Sequence, residues 1–479
     1  MSQKNETAVL LLSLIVTVAL VAAGVFWFTN HNSRNRGGLA ENQGSPGVTT
    51  SGEPTASNQP VQERIGAGEK LLIASNASPE KRAATEAIAR RNYSEAVSQL
   101  EKARSANRND PEGLIYLNNA RIGNQKSYAI AAAVPISSDV NSATEILRGV
   151  AQAQNEVNQA GGIKGIPLKV LIANDDNKPA VAEQVANVLV KNPDVLGVVG
   201  HFSSDVSLAA GKVYQSGQLV AISPVSTSVQ LSGFGSYIFR TVPSDRFAGN
   251  ALSRYMLTQL KRQKAAVFFN SGSNYSKSLK GEFTTALYGD GGKVVAEYDL
   301  GSNAFNAGNS VEQAIKQGAE VLMLAPDSPT LDKALQVVAA NRNRLKLLTG
   351  DDAYTPQTLQ IGGPLAVGMV LAVPWHILGD PQSSFPKAAR QLWGGEVNWR
   401  TALAYDAAKA LIAGIERNQS RTGVQQALSS SDFSATGSSG EIKFLPSGDR
   451  NRAVQLVKIQ PGIRTPWGFE FVPVSNTNN

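Results

Sequence analysis

The segment LGVVGHFSSDVSLAAGKVYQSGQLVAISPVSTS, residues 196–228, decides the fold. Two apolar runs, 196–199 and 219–222, each lead directly into small hydroxyl residues, and a helix over about 206–215 separates them. This is the pattern of a βαβ unit. Ligands of open α/β sheets sit outside the carboxyl ends of the strands, so Ser203, Ser204, Ser226 and Thr227 are expected at one rim. Serine and threonine also cap helices there, a purely structural role. Two such loops at equivalent strand ends favour a site.

Strands alternate with helices on both sides of this unit. Upstream, a strand over 129–134 leads to a Ser-Ser-Asp loop and a helix over about 142–159, which Gly161 and Gly162 stop. A strand over 168–173, the turn Asn174-Asp175-Asp176-Asn177 and a helix opened by Pro179 complete this series. Downstream, a second series sets strands over 265–269, 293–298, 321–325 and 346–349 between helices over 276–288, 310–317 and 330–341. The fold class is therefore α/β, with two doubly wound parallel-sheet lobes. The late elements, near 368–373, 401–415, 441–444 and 453–459, are too few for a third domain and complete the lobes through several crossovers at one hinge. The lobes are expected over about 127–241 with 372–435, and over 242–371 with 436–460, leaving 461–479 as a tail.

Residues 8–28, AVLLLSLIVTVALVAAGVFWF, form an uncharged apolar run long enough to cross a bilayer as a helix, so 1–29 reads as a single-pass transmembrane anchor. The rival reading is a cleaved signal peptide ending near residues 21–23, but the apolar run continues past that point. Lys4 lies on one side and Arg34 and Arg36 on the other, so charge does not fix the orientation. Residues 30–60, rich in Gly, Ser, Thr, Asn and Pro, read as a disordered linker that would span about 30 Å on average. From 61 to 126 the pattern is helical, and RRNYSEAVSQLEKARSANRNDPEGLIYLNNA resembles part of a tetratricopeptide repeat through Tyr93, Ala96, Leu100 and Ala103. Pro111 comes late for that pattern. One such segment is too short to be a solenoid, so a helical hairpin docked on the main domain is expected.

The 479 residues include no cysteine, which removes disulfides, thiolate metal sites and a cysteine nucleophile. The net charge of +7 is spread without a basic block interleaved with aromatics, so nucleic acid is not an expected partner. The three histidines, His31, His201 and His376, form no catalytic or zinc motif, and Gly161-Gly162 with Gly165 follows a helix where a dinucleotide fingerprint would open one. Neither catalysis nor a cofactor or metal is implied.

The motifs AQAQNEVNQAGGIKGIPLKVLIANDD, VVGHFSSDVSLAAGKVYQ, AISPVSTS, FRTVPSDRFAG, LTGDDAYT and ALAYDAAKAL, in that order, resemble the leucine/isoleucine/valine-type periplasmic amino-acid-binding proteins over about residues 128–460. The resemblance implies a type I periplasmic-binding fold, in which two lobes close on a small amino-acid-like ligand destined for an ABC permease. Ser204, Thr227 and the backbone amides beside Ser204 and Val225 match the family's carboxylate-holding positions. Tyr275 matches the aromatic that covers the ligand, and Asp245 and Arg246 fall near the hinge. For the ammonium partner, the family's acid aligns best with Asp352, whereas Asp351 sits closer to the strand end. Where the family carries an aromatic ligand contact in the first helix, this chain has Ser142, which puts branched aliphatic specificity in doubt.

The sequence thus reads as a membrane-tethered, extracytoplasmic (periplasmic) solute-binding protein for ABC-type uptake. The rival reading is a ligand sensor or interaction module signalling to a membrane partner, and a third is a scaffold whose cleft has lost its ligand.

Overall fold

The computed structural model describes residues 60–75 and 77–474. The apolar run at 8–28 and all of the linker but Pro60 lie outside the described residues; among the described residues no helix is long and apolar enough to cross a membrane.

The segment after Pro60 is not helical throughout, as its periodicity suggested. A 3-10 turn, Val61–Arg64, enters the short strand β1 (Ile65–Gly66). Gly68, at φ +134°, then takes a conformation closed to other residues. Three helices follow, α1 (Pro79–Ala89), α2 (Tyr93–Ala106) and α3 (Pro111–Ile122), in place of the expected hairpin. The proline that came late for a repeat is the first residue of α3, where its fixed φ suits a helix start. Asp110 caps it by accepting the Gly113 N–H at 3.0 Å.

Helix α3 is buried on nearly every face, so its own amphipathicity is weak. Its Glu112, fully buried, accepts the N–H groups of Leu72 (2.8 Å) and Ile73 (3.1 Å) and pairs with Lys81 at 2.7 Å. Asn119 donates to the carbonyls of Ala67 (2.8 Å) and Val170 (2.7 Å), binding the helical segment to the first sheet.

That sheet contains β2 (Tyr128–Val134), β3 (Leu168–Asn174), β4 (Val195–Val199), β5 (Val220–Ser223) and β6 (Ile238–Arg240) in the order β1-β3-β2-β4-β5-β6. All neighbours are parallel except β1, which pairs antiparallel with β3. The crossovers are α4 (Val140–Gln159), α5 (Pro179–Lys191) and α6 (Ser204–Ser216). Ala131, Ala132 and Ala133 of the central β2 are wholly buried, as expected of a strand covered on both faces.

Helix α7 (Asp245–Thr258) leads to the second sheet. Its chain order is β7 (Lys264–Phe269), α8 (Asn274–Gly289), β8 (Lys293–Asp299), α9 (Ala307–Lys316), β9 (Val321–Ala325), α10 (Leu331–Asn341), β10 (Lys346–Thr349), α11 (Pro356–Gly362) and β11 (Val370–Val373). The chain then returns to the first lobe with α12 (Phe385–Trp393), α13 (Trp399–Arg417), α14 (Arg421–Ser429) and the hairpin β12 (Ala435–Gly437) and β13 (Gly440–Ile442). Strands β14 (Gln455–Pro461) and β15 (Phe469–Pro473) finish the second sheet, in the order β15-β14-β11-β10-β9-β7-β8.

Three boundaries differ from expectation. Strand β11 lies entirely in the second sheet. Residues 436–450 belong to the first lobe: Arg240 pairs with Asp449 at 2.5 Å, and Arg450 pairs with Asp406 of α13. Residues 469–473, expected in a tail, pair antiparallel with β14, because Phe469 and Phe471 alternate toward the core. Both sheets are therefore mixed at one edge.

Candidate ligand-binding cleft

The cleft lies at the carboxyl ends of the parallel strands, between the lobes, with a volume of about 300 Å³. Of the eight residues singled out in the sequence, Ser203, Ser204, Val225, Ser226, Tyr275, Asp351 and Asp352 line it. Thr227 does not; it is buried, and its hydroxyl has no hydrogen-bond partner among the described residues.

The first-lobe rim separates structural hydroxyls from available ones. Ser203 is the N-cap of α6, its Oγ accepting the Val206 N–H at 3.4 Å. Ser226 Oγ donates to the Phe202 carbonyl at 3.1 Å and lies 2.6 Å from Ser207 Oγ. The amides of Val225 (3.4 Å) and Ser226 (3.0 Å) turn back to Ser223 Oγ, so the Val225 amide is not the free donor the sequence suggested. Ser204 remains: its Oγ accepts the Ser228 N–H at 3.3 Å and keeps its own proton. The amides of Ser204, Asp205 and Thr227 have no acceptor among the described residues. Two of them stand at the positive end of α6.

The second-lobe rim is acidic. Tyr275, in the first turn of α8, donates its hydroxyl to Asp351 Oδ1 at 3.0 Å and accepts the Asp352 N–H at 3.3 Å. Gly350 makes this approach possible, since a Cβ there would stand 2.5 Å from the Tyr275 oxygen. Asp352 is already paired: Arg400 of α13 reaches across the cleft to its Oδ1 at 3.1 Å, and Ser328 donates to Oδ2 at 3.3 Å. The Arg400 guanidinium lies 4.4 Å over the Trp399 ring. Among the described residues Asp351 has no cation in contact and its Oδ2 no hydrogen-bond donor.

Burial pushes the Asp351 carboxyl up to about 7, with the charge of Asp245 adding to the rise and Arg400 and Tyr275 opposing it. Burial also raises Asp352 to about 7 against the pull of Arg400. Asp245, wholly buried at the start of α7, rises to about 6 from burial. The hydroxyls of Ser278 and Thr227 lie beside Asp245 and restrain that rise, yet neither meets its oxygens in hydrogen-bond geometry.

Further bonds join the lobes. Asp205 accepts from the Asn274 N–H (3.1 Å) and Nδ2 (2.6 Å), and the Val229 N–H donates to Ser278 Oγ at 3.0 Å. The cleft is closed.

A second chamber of about 670 Å³ adjoins the first, and both share Asn177, Ser328 and Pro329 as walls. Ser142 lines this outer chamber with Arg148, Tyr354 and Trp467, so the position that departs from the family pattern faces its space. Asn177, read in the sequence only as part of a turn, has φ +52° and a buried Oδ1 without a donor among the described residues. Arg400 also escaped the sequence reading; its place beside Trp399 in the first turn of α13 was its only signal. His201 is structural, held between Asp175 (2.6 Å) and the Tyr214 hydroxyl (3.0 Å), while burial pushes His376 down to about 4 and keeps it neutral.

Two α/β lobes, crossed three times by the chain and joined over a cleft that carries acids on one rim and hydroxyls on the other, define a clamp of the periplasmic-binding type. The chain belongs to the periplasmic binding protein family, whose model matches residues 127–462. Among its relatives, an amino acid binding protein of Pseudomonas aeruginosa is 32% identical over 228 residues, 47% of this chain and 60% of that protein. The leucine-specific-binding protein of Salmonella typhimurium is 24% identical over 309 residues, 63% and 82% respectively. The chain thus spans less than two thirds of the length of the first of these relatives.

Solved structures share the fold. An ABC transporter substrate-binding protein of Desulfitobacterium hafniense in complex with Leu superposes with a TM-score of 0.62 at 21% identity, covering 72% of this chain and 100% of that one. A leucine binding protein of Thermotoga maritima gives 0.64 at 20% identity over 73% and 99%. A solute binding protein of R. palustris in complex with 4-hydroxybenzoate gives 0.63 at 16% identity over 73% and 96%.

Proposed function

We propose that this chain is an extracytoplasmic solute-binding protein that closes its lobes on an amino acid or related small carboxylate and delivers it to an ABC-type permease. The observation that carries the reading is Asp351: a buried acid with one oxygen free, across the cleft from the unspent Ser204 proton and the α6 amides. An α-amino acid supplies a cation for the first and an anion for the second, and its ammonium would restore the ionised state of Asp351 that burial opposes. Ser204 Oγ and the amides of Ser204 and Asp205 would hold the carboxylate. Tyr275 would orient Asp351 and close the ligand in. The names of the relatives, and the Leu and 4-hydroxybenzoate of the fold-sharing structures, support a carboxylate as the common element. Residues 8–28 would tether the protein to the membrane.

Asp351 takes the ammonium in this reading, because Asp352 is neutralised by Arg400. Thermal-shift screening of the full chain against amino acids, amides and small carboxylates tests it. A ligand at a hundred times its Kd adds about 2.7 kcal/mol. Ser204→Ala should then weaken that ligand at least about tenfold. No stabilisation by any α-amino acid or small carboxylate would overturn the reading.

One observation favours the sensing alternative. Arg64, in the turn before β1, pairs with buried Asp176 at 2.8 Å, beside Asn177 in the cleft wall. The amino-terminal segment thus touches the ligand loop directly, a route by which closure could be reported to a membrane partner. Ligand uptake lost on gene deletion would decide for transport.

A further inference from the structure

Folding gathers charge that the sequence disperses. The parallel strands of the second sheet all start at the end of the lobe opposite the cleft, and the residues around those starts are basic. Lys261, Arg262 and Lys264 lead into β7, and Lys293 opens β8 beside it, its N–H donating to the Gln263 carbonyl at 2.8 Å. Lys316 closes α9, while Arg342, Arg344 and Lys346 carry the chain from α10 into β10. All eight are exposed.

Three acids stand among them. Glu312 pairs with Arg344 at 2.7 Å, Glu320 with Arg262 at 3.7 Å, and Asp290 lies in the turn before β8. The other six cations have no carboxylate in ion-pair contact among the described residues. Most of the chain's charge of +7 is therefore collected at this one end. Apolar side chains flank it. Tyr288, 53% exposed, is in the last turn of α8 beside the start of β8; Ile361, 60% exposed, is in the last turn of α11, and Val367, 39% exposed, precedes β11. In the sheet order, β8 and β11 lie on opposite sides of β7, β9 and β10. The basic strand starts thus run between two apolar borders about 20 Å apart.

We propose that this end of the second lobe is a docking surface for an anionic phospholipid bilayer, with the cations on headgroup phosphates and Tyr288, Ile361 and Val367 entering the interface. The proposal goes beyond solute binding and needs no ligand. Cations spread over several strand spacings suit a sheet of headgroups better than one bound anion, which needs donors converging on a point. Exposed tyrosine and aliphatic side chains beside the charge gain from an interface that has both a polar and an apolar layer. The apolar run at 8–28, if it anchors the chain as its sequence suggests, would hold the domain near such a surface. The cleft opens at the other end of the strands, about 20 Å away, so lipid and solute would not compete.

The chain has no cysteine, so a single introduced one reports its own position. Full-length protein carrying Gln317→Cys, exposed among the cations, or Gln184→Cys, exposed on α5 of the first lobe, is labelled with a fluorophore. Each is reconstituted in vesicles of phosphatidylcholine alone or in equal mixture with phosphatidylglycerol, doped with headgroup-spin-labelled lipid as quencher. In the anionic vesicles the Gln317→Cys label should be quenched at least about threefold more than the Gln184→Cys label, and in the neutral ones the two should match. Each cation near an anionic surface contributes about fivefold, so Lys264→Gln, Lys293→Gln, Lys316→Gln and Lys346→Gln together should remove the difference. These side chains are exposed, so the fold tolerates the change. Equal quenching of the two labels in anionic vesicles, a difference that neutral lipid reproduces, or one that survives the four substitutions would each overturn the proposal and leave the solute-binding reading untouched.

Discussion

Replacing Asp351 by asparagine should make the ligand-free protein more stable at alkaline pH while impairing its binding. The side chain is buried, and its carboxyl rises from 3.8 to about 7 in the folded protein. An acid raised in this way binds its proton more tightly folded than unfolded. Its contribution to stability is therefore complete below the unfolded value and is lost as pH rises through about 7. Each pKa unit corresponds to about 1.4 kcal/mol, so ionised Asp351 disfavours the fold by about 4 kcal/mol at the alkaline end. Asparagine cannot ionise, and its Oδ1 still accepts the Tyr275 hydroxyl. Allowing for the desolvation of its amide protons, a gain of about 2 kcal/mol remains near pH 8.5, and little or none near pH 4.5. Urea unfolding of ligand-free full-length protein at the two pH values, followed by circular dichroism, reads this directly. An Asp351→Asn protein no more stable than wild type at the higher pH would refute the reasoning, as would an equal gain at both. The same variant should bind any amino-acid ligand at least about tenfold more weakly, which would place Asp351 among residues kept for function at a cost in stability.

Arg400→Met should leave Asp352 buried without its cation and destabilise the closed protein by about 3–5 kcal/mol in chemical denaturation, with Asp352→Asn on the same background recovering most of the loss. Ligand affinity should fall as pH drops from about 7 to about 5, since a proton competes with the ligand cation for Asp351; calorimetry across that range checks the slope. Gly149→Ala should cost about 3 kcal/mol or more, because its Cβ would stand 2.3 Å from the Thr401 carbonyl oxygen, where α4 and α13 pack backbone to backbone; the midpoint of urea unfolding measures it.

Much of the architecture was legible because it is written in local periods. The apolar runs at 196–199 and 219–222 and the hydroxyls after them specify a βαβ unit whose loops must share an edge, whatever surrounds it. The same logic located Ser204 and the Asp351-Asp352 pair at strand ends. It set the segment before residue 127 apart from the α/β body, whereas β1 pairs with β3 in the first sheet and Pro111, read as a broken repeat, is the start of a third helix.

Tertiary structure decided what each polar group is free to do. Ser203, Ser204 and Ser226 look alike in sequence, but one caps a helix, one donates to a carbonyl and one retains its proton, according to neighbours brought in by folding. Thr227 stands behind the cleft, beside Asp245 from the following helix. Asp351 and Asp352 are adjacent and chemically identical. Only Arg400, 48 positions away and across the hinge, makes one a paired ion and leaves the other an unpaired acceptor. Periodicity fixes which way a side chain faces; charge compensation depends on distances between segments far apart in the chain, and those exist only once the lobes have closed.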